Sequence, residues 1–152
     1  IGARNKDLLL FQKELSLFCD EVLVSTDDGS EGQKGIVTDL VRGRLDSEGG
    51  NIAEVVAVGP VPMMQAVADL TRGYNVPTTV SLNSLMVDGL GMCGACRVTV
   101  GGEMKFTCVD GPEFDGHKVD FAELRSRLGS FRTQEAQARE HHRCNCFERK
   151  EA

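Results

Sequence analysis

One aspartate and three cysteines follow one another at a spacing that could hold a metal or an iron–sulfur cluster. They form the pattern Asp88-x4-Cys93-x2-Cys96-x11-Cys108. Two thiolates at C-x-x-C spacing can grip a metal or cluster from one loop, and a third thiolate after a hairpin can close the other side. Glycines at positions 89, 91 and 94 let the loop curl tightly around sulfides that accept backbone N–H bonds. The pattern favours a 2Fe–2S cluster.

Other interpretations of these residues stay open. Plant-type ferredoxins use C-x4-C-x2-C with a distant fourth cysteine, and here Asp88 takes the first position of that pattern. A lone Asp before a Gly is otherwise a common turn residue. Cys93 and Cys96 could also form a redox dithiol or bind zinc, which prefers four N or S ligands at a structural site. The nearest histidine in sequence that could complete a zinc site is His117.

Composition limits the class of protein. The chain has 152 residues, 41% of them apolar, and a net charge of −6. An acidic chain without a dominant basic patch argues against a nucleic-acid partner. No apolar run approaches the roughly 20 residues that a membrane helix needs, so no membrane partner is expected. Six cysteines without a secretory signal fit a reducing compartment, and we therefore expect a cytoplasmic protein.

Alternating helices and strands precede the cysteines. The pattern predicts, in chain order, a helix over 6–18, a strand over 21–25, a polar loop over 26–35, a helix over 37–46, a strand over 54–58, a helix over 61–73 and a strand over 77–82. This order is typical of an α/β fold with a parallel sheet. Cys19, at the end of the first helix, is expected to be a core thiol.

The second half of the chain is organised differently. Residues 97–100 and 103–106 flank Gly101-Gly102, which is a strong signal for a two-residue hairpin. Residues 108–118 are predicted to form a loop, and the polar residues 119–150 a helical tail. The tail contains four residues that could form a second metal site, although an exposed helix is the simpler expectation: His141, His142, Cys144 and Cys146.

The segment from Val58 to Cys108 resembles the small, flavin-containing subunit of NADH-dependent ferredoxin:NADP oxidoreductases, a family that includes sulfide dehydrogenases. The closest motif is DGLGMCGACRV, followed by the hairpin and FTCVDGPEFD. In that family one Asp and three Cys hold the cluster, which the resemblance maps onto Asp88, Cys93, Cys96 and Cys108. The electron-transfer subunit of dihydroorotate dehydrogenase is a more distant relative whose first ligand is Cys, so Asp88 favours the oxidoreductase group.

The resemblance covers about residues 1–131 and also implies a nicotinamide site. In ferredoxin reductases a strand that ends in Gly-Pro lies beside the nicotinamide, and many relatives have Cys where this chain has Val58. The matching residues here are Gly59, Pro60, Pro62 and Met63.

The ribose end of the nucleotide would lie near Ser25 and Asp27, with Arg4 close to it. An Asp there repels a 2′-phosphate and can accept a bond from a free ribose hydroxyl, whereas a 2′-phosphate needs Arg or Lys. NAD is therefore expected rather than NADP, and Arg4 and Lys34 are the residues that could reverse this preference.

The resemblance divides the chain into three parts. Residues 1–83 match the C-terminal part of a ferredoxin-reductase-like NAD(P)-binding domain, 84–118 a cysteine-rich iron–sulfur subdomain with a β-hairpin, and 119–152 a helical tail. The family's flavin barrel and the first, central strand of its nucleotide domain have no match in this chain. We therefore expect an α/β domain that is incomplete at its N-terminus, with FAD on an upstream domain. A swapped dimer is the alternative way to fill the gap between strands 21–25 and 54–58.

Two functions remain at this point. The resemblance implies an electron-transfer component that passes electrons between NAD(H), FAD and a larger flavin/iron–sulfur oxidoreductase subunit, through the cluster and without a general acid or base on this chain. The alternative is a zinc-stabilised module that docks another protein without catalysis. The colour of the purified protein distinguishes these two functions, because oxidised 2Fe–2S proteins are red-brown and zinc proteins are colourless.

Overall fold

The computed structural model describes residues 1–141. The strands are β1 (Gly2–Ala3), β2 (Ser25–Thr26), β3 (Gln33–Lys34), β4 (Val55–Val58), β5 (Thr78–Ser81), β6 (Arg97–Val100), β7 (Glu103–Phe106) and β8 (Glu113–Asp115). The α-helices are α1 (Gln12–Leu15), α2 (Val37–Glu48), α3 (Val61–Gly73), α4 (Thr107–Asp110), α5 (Phe121–Leu128) and α6 (Arg132–His141), and short 3-10 turns span Lys6–Leu8 and Gly49–Asn51.

The strands form three small sheets. β1, β2 and β3 are parallel neighbours in the first. In the second, β5 lies between β4, which is parallel to it, and β8, which is antiparallel. β6 and β7 form the expected hairpin around Gly101-Gly102. The result is a mixed α/β fold in which β2 and β4 belong to different sheets and are not neighbours.

One hydrophobic core joins the second sheet to the hairpin. It is built on α3, whose apolar residues recur at helical spacing and so face one side. Met64 and Ala68 of α3 pack with Val80 of β5, Val98 of β6 and Leu124 of α5, all nearly inaccessible to solvent. Because the hairpin and α5 share this core, the segment between β5 and β6 is held at both of its ends.

The helix predicted over 6–18 is wrong. Phe11 has φ 59°, a left-handed conformation that breaks the segment into a 3-10 turn and a four-residue helix. Most of its apolar side chains, among them Leu10, Leu17 and Phe18, are exposed. An isolated helix this short is unstable without packing against a core. Cys19 is exposed as well, so the prediction of a core thiol is also wrong.

Several boundaries also differ from the sequence prediction. The strand expected over 21–25 shortens to Ser25–Thr26, and the loop over 26–35 contains β3. The loop expected over 108–118 contains α4 and β8, because β8 pairs with the distant β5, a long-range contact without a local pattern. The other predicted helices and strands are confirmed to within about two residues.

Two helices, α5 and α6, follow β8, as the tail prediction required. His142, Cys144 and Cys146 lie outside the described residues. Among residues 1–141, the structure contains no helix with the length and apolar character needed to cross a bilayer.

Candidate iron–sulfur site and nucleotide cleft

The loop between β5 and β6 depends on glycine at three positions. Gly89, Gly91 and Gly94 have φ of 72°, 78° and 66°, a region that costs other residues about 1–2 kcal/mol. A Cβ on Gly91 would lie 2.8 Å from Cγ2 of Val109 on α4. The loop therefore curls through left-handed turns and packs closely against the helix that carries Cys108.

Asp88 holds the start of this loop in shape. Its Oδ1 accepts the Leu90 N–H at 3.0 Å and its Oδ2 accepts the Cys93 N–H at 2.8 Å. The Leu90 N–H is the main reason that the pKa of Asp88 lies below its usual value. The aspartate does act as a turn residue here, and the same bonds keep an ionised carboxylate beside Cys93.

The other two cysteines are in contact with each other. Sγ of Cys96 lies 3.2 Å from Sγ of Cys108, and Cys96 is only 1% exposed. The hydrogen bond from Cys96, followed by burial, raises the pKa of the Cys108 thiol. Cys93 is exposed, and its Sγ accepts the Ala95 N–H at 3.5 Å. All of these cysteines are free thiols.

The four residues thus lie as two pairs, Asp88 with Cys93 and Cys96 with Cys108. Within residues 1–141, no three His, Cys, Asp or Glu side chains converge on a point where one metal ion would bind. A structural zinc site needs four ligands around a single ion. A 2Fe–2S cluster has two irons, each of which takes two protein ligands, and an arrangement in two pairs is compatible with such a cluster.

The carbonyl groups inside C-x-x-C are held from outside the loop. The Gly94 carbonyl accepts a bond from Arg97 Nη1 at 3.1 Å, and the Ala95 carbonyl accepts one from Arg127 Nη2 at 3.2 Å. Sequence reasoning missed Arg127, because it follows Cys96 by 31 positions in a segment with no motif.

The Cys96 carbonyl accepts bonds from both the backbone N–H and the hydroxyl of Thr107, at 3.1 and 2.9 Å. Thr107 is completely buried. Its contact with Cys96 was not expected from the sequence, although its position next to Cys108 was a usable signal. These contacts join the two halves of the candidate cluster site through backbone rather than through the thiols alone.

The nucleotide-site residues expected from sequence come together in one cleft of about 810 Å³. The cleft lies between the β1–β2 edge on one side and β4 with the start of α3 on the other. Its lining includes all seven of the expected residues: Arg4, Ser25, Asp27, Gly59, Pro60, Pro62 and Met63.

Ser25 is the most unusual residue of the cleft. It is 1% exposed, and its Oγ has no hydrogen-bond partner among the described residues. A buried hydroxyl without a partner costs about 1–3 kcal/mol. Because Ser25 lines the cleft, a ligand bound there could supply the missing bond.

The charged residues around the cleft differ in their roles. Asp27 lines it, while Oδ1 of Asp28 accepts the Ser30 N–H at 2.9 Å. Hydrogen bonding by Ser30 keeps the pKa of Asp28 below its usual value. Arg4 is exposed and forms no ion pair within residues 1–141. The stem of Lys34 covers Gly29 and does not line the cleft.

Residues 83–120 match the model of the iron–sulfur cluster binding domain of dihydroorotate dehydrogenase B. The chain is 51% identical over 135 residues to a homolog of the dihydroorotate dehydrogenase B (NAD(+)) electron transfer subunit from Thermotoga maritima, covering 89% of this chain and 47% of the relative. A probable subunit of the same type from Methanocaldococcus jannaschii is 36% identical over 80% of this chain and 45% of the relative.

A solved structure of an NADH-dependent reduced ferredoxin-NADP oxidoreductase is also similar. It is 48% identical with a TM-score of 0.76, over 91% of this chain and 49% of that one. The chain therefore spans about half the length of the relatives that it matches. Over most of its own length, the chain is therefore similar to part of the dihydroorotate dehydrogenase B-type electron transfer subunits and to part of the ferredoxin-NADP oxidoreductase.

Proposed function

We propose that this chain carries the nicotinamide-binding and 2Fe–2S-binding parts of a flavin- and iron–sulfur-dependent oxidoreductase. The cluster would supply one-electron transfer between the NAD(H)/FAD side and a larger partner subunit. This chain's residues would hold the cluster and the nucleotide in position and set their electrostatic surroundings. They supply no acid or base to the reaction.

The observation that carries the proposal is the arrangement of the ligands in two pairs. Asp88 and Cys93 would bind one iron, and Cys96 and Cys108 the other. The exposed face of Cys93 and the left-handed glycines leave the loop open on that side. The Ala95 N–H already donates to Cys93 Sγ, as bonds to cluster-bound sulfur require.

The cleft supports the nucleotide half of the proposal. Gly59 and Pro60 lie between the end of β4 and the start of α3, and both line the cleft. Asp27 also lines the cleft, and its carboxylate would accept a bond from a free ribose hydroxyl and repel a 2′-phosphate. We propose NAD as the nucleotide, with Ser25 Oγ as a further hydrogen-bonding group.

We also propose that a preceding domain of the same polypeptide binds FAD and supplies a strand between β1 and β4. β4 is an edge strand, and its Val56 and Val58 are 61% and 69% exposed. Exposed apolar residues on an unpaired edge strand mark a surface that another strand covers. Such a strand would make β2 and β4 parts of one continuous sheet. It would fill the part of the cleft between β1 and β4 and leave the nucleotide the carboxyl-terminal ends of the strands, at Arg4, Asp27 and Gly59.

A visible absorption spectrum with iron and zinc analysis, on protein purified without oxygen, tests the cluster. We expect absorption between roughly 400 and 600 nm and about two irons per chain. A colourless protein with one zinc would support the docking module instead. A colourless protein without metal, even after reconstitution with iron and sulfide, would remove the electron-carrier proposal.

Titration with NADH and NADPH tests the nucleotide. We expect NADH to bind at least tenfold more tightly, and Asp27→Arg to reduce that ratio, because a guanidinium binds phosphate well. Lys13→Arg, on the exposed helix α1, is the control for a new guanidinium elsewhere. Equal affinities for the two nucleotides in the unchanged protein would contradict the assignment to NAD.

A further inference from the structure

Arg127 contacts the candidate cluster loop from a different part of the fold. It lies on α5, whose Leu124 is anchored in the core and whose first turn is capped by Asp120. From there Nη2 of Arg127 donates to the carbonyl of Ala95, between Cys93 and Cys96, at 3.2 Å. The anchored helix thus brings a partly buried guanidinium to the middle of C-x-x-C.

This contact fixes the direction of a peptide group. In a trans peptide the C=O and the following N–H point in opposite directions. The Ala95 carbonyl is directed toward Arg127, so the Cys96 N–H points away from it. The neighbouring peptide behaves in the same way, since the Gly94 carbonyl faces Arg97 and the Ala95 N–H faces Cys93 Sγ.

Arg127 also brings a positive charge that no residue within 1–141 neutralises through an ion pair. Guanidinium groups stay protonated at all ordinary pH values. Among the described residues Arg127 takes part in no ion pair, and its side chain is half-buried. Reduction of a cluster adds one negative charge, so a fixed positive charge close to the loop favours the reduced form.

We propose that Arg127 is a positioning residue for the iron–sulfur cluster, holding the Ala95–Cys96 peptide in orientation and raising the cluster's reduction potential. This proposal rests on the proposed function, because it requires the cluster. It assigns a role to the helix after β8 that the cysteine motif does not contain.

The same helix provides a matched control. Nη1 of Arg125 donates to Oε1 of Gln65 on α3 at 3.1 Å, away from the loop. Arg127→Gln and Arg125→Gln remove the same charge from positions two residues apart, but only the first breaks a contact with C-x-x-C. Arg127→Lys keeps the charge and loses the planar fork of donors.

The experiment is a redox titration of the cluster in the protein and these variants, followed by EPR, with the rate of iron loss to a chelator as second readout. We expect Arg127→Gln to lower the equilibrium constant for one-electron reduction about tenfold, which corresponds to about 59 mV. It should also lose iron several-fold faster. Arg127→Lys should keep most of the potential but lose iron faster, and Arg125→Gln should match the unchanged protein.

Equal potentials and iron-loss rates for Arg127→Gln and Arg125→Gln would overturn the proposal, as would a potential that rises in Arg127→Gln. The iron content of the unchanged protein distinguishes this result from failure of the proposed function. If the unchanged protein binds no cluster, the proposed function itself is contradicted. Circular dichroism checks that each variant is folded. If Arg127→Gln is unfolded, Arg127→Lys is the variant that tests the positioning role. Iron loss from Arg127→Lys at the rate of the unchanged protein would contradict that role.

Discussion

The cluster loop and the nucleotide cleft are built in opposite ways. In the loop, short-range bonds from Asp88 to the backbone, and three left-handed glycines, set the shape within about ten residues of chain. The cleft is assembled from residues as far apart as Arg4, directly after β1, and Met63, on α3. The first site takes its turns from bonds within one loop, with Arg127 and Thr107 supporting it from outside, whereas the second is assembled entirely by long-range packing.

The difference also shows in which groups have partners. Carbonyls at three consecutive positions in the loop, 94 to 96, have donors. In the cleft, the Ser25 hydroxyl has no partner within the described residues, and Val56 and Val58 on β4 are exposed. We infer that the loop is preorganised, while the cleft needs a ligand and a further strand to satisfy its groups.

The largest effect is expected from removing a buried thiol. Cys96→Ser should reduce iron from about two per chain to near zero, because Cys96 is buried against Cys108 and supplies half of one ligand pair. Iron analysis measures this directly. Cys19→Ser, at an exposed cysteine outside the pattern, is the control. Full iron content in Cys96→Ser would contradict the assignment of Cys96 and Cys108 as the ligands of one iron.

Substitution of the loop glycines should lower stability in two steps. A Cβ on Gly89 would have no neighbour within 4 Å, so Gly89→Ala should lower stability only by the strain of the left-handed conformation, about 1–2 kcal/mol. Gly91→Ala adds a close contact with Val109 and should cost about 1–3 kcal/mol more. Urea unfolding measures both free energies. Gly43→Ala, in open space on α2, should stabilise by about 0.5–1 kcal/mol, and equal losses at Gly89 and Gly91 would contradict the close packing.

Ser25→Ala should have opposite effects on the stability of the fold and on the affinity for NADH. Removing a buried hydroxyl that lacks a partner should leave the free energy of unfolding unchanged or raise it by up to about 1 kcal/mol. If the hydroxyl bonds the nucleotide, affinity for NADH should fall about fivefold, the loss of one hydrogen bond. Thermal unfolding with and without NADH measures both. Lower stability with unchanged affinity would mean that Ser25 serves the fold alone.

The smallest expected effect is a loss of stability at low pH in the turn that contains Asp28. The pKa of Asp28 lies below its usual 3.8 because Ser30 donates to the carboxylate. This bond therefore contributes stability above pH 3.8 that is lost as the pH falls through the lower, folded value. The Ser30 amide resonance should shift with a midpoint below 3.8 and show no such transition in Asp28→Asn. A midpoint at or above 3.8 would show that the turn does not need the charge.

Local patterns predicted much of the molecule correctly. Gly101-Gly102 predicted the hairpin and the spacing of α3 predicted its buried face, because both depend on neighbouring residues. The strand β8 and the role of Arg127 depend on contacts more than 30 residues away in sequence, which no local pattern encodes. The helix over 6–18 was predicted from apolar spacing alone, but those side chains have no core to pack on, and Phe11 breaks the helix.

The candidate sites divide in the same way. The cysteine spacing predicted which residues share one loop, whereas it could not show that Cys96 contacts Cys108 while Cys93 stays with Asp88. The seven cleft residues were expected from the family resemblance, and the structure brings them together. The unpartnered state of Ser25 Oγ depends on how β2 is buried in the folded chain, which the sequence does not reveal.

Mössbauer spectroscopy of the iron-57-labelled, oxidised protein tests the central claim most directly. With Asp88 and Cys93 on one iron and two cysteines on the other, the two irons differ in ligands. The account predicts two quadrupole doublets of equal area, which become alike in Asp88→Cys. A single doublet in the unchanged protein, or a spectrum that Asp88→Cys does not alter, would contradict ligation by Asp88 and the paired arrangement.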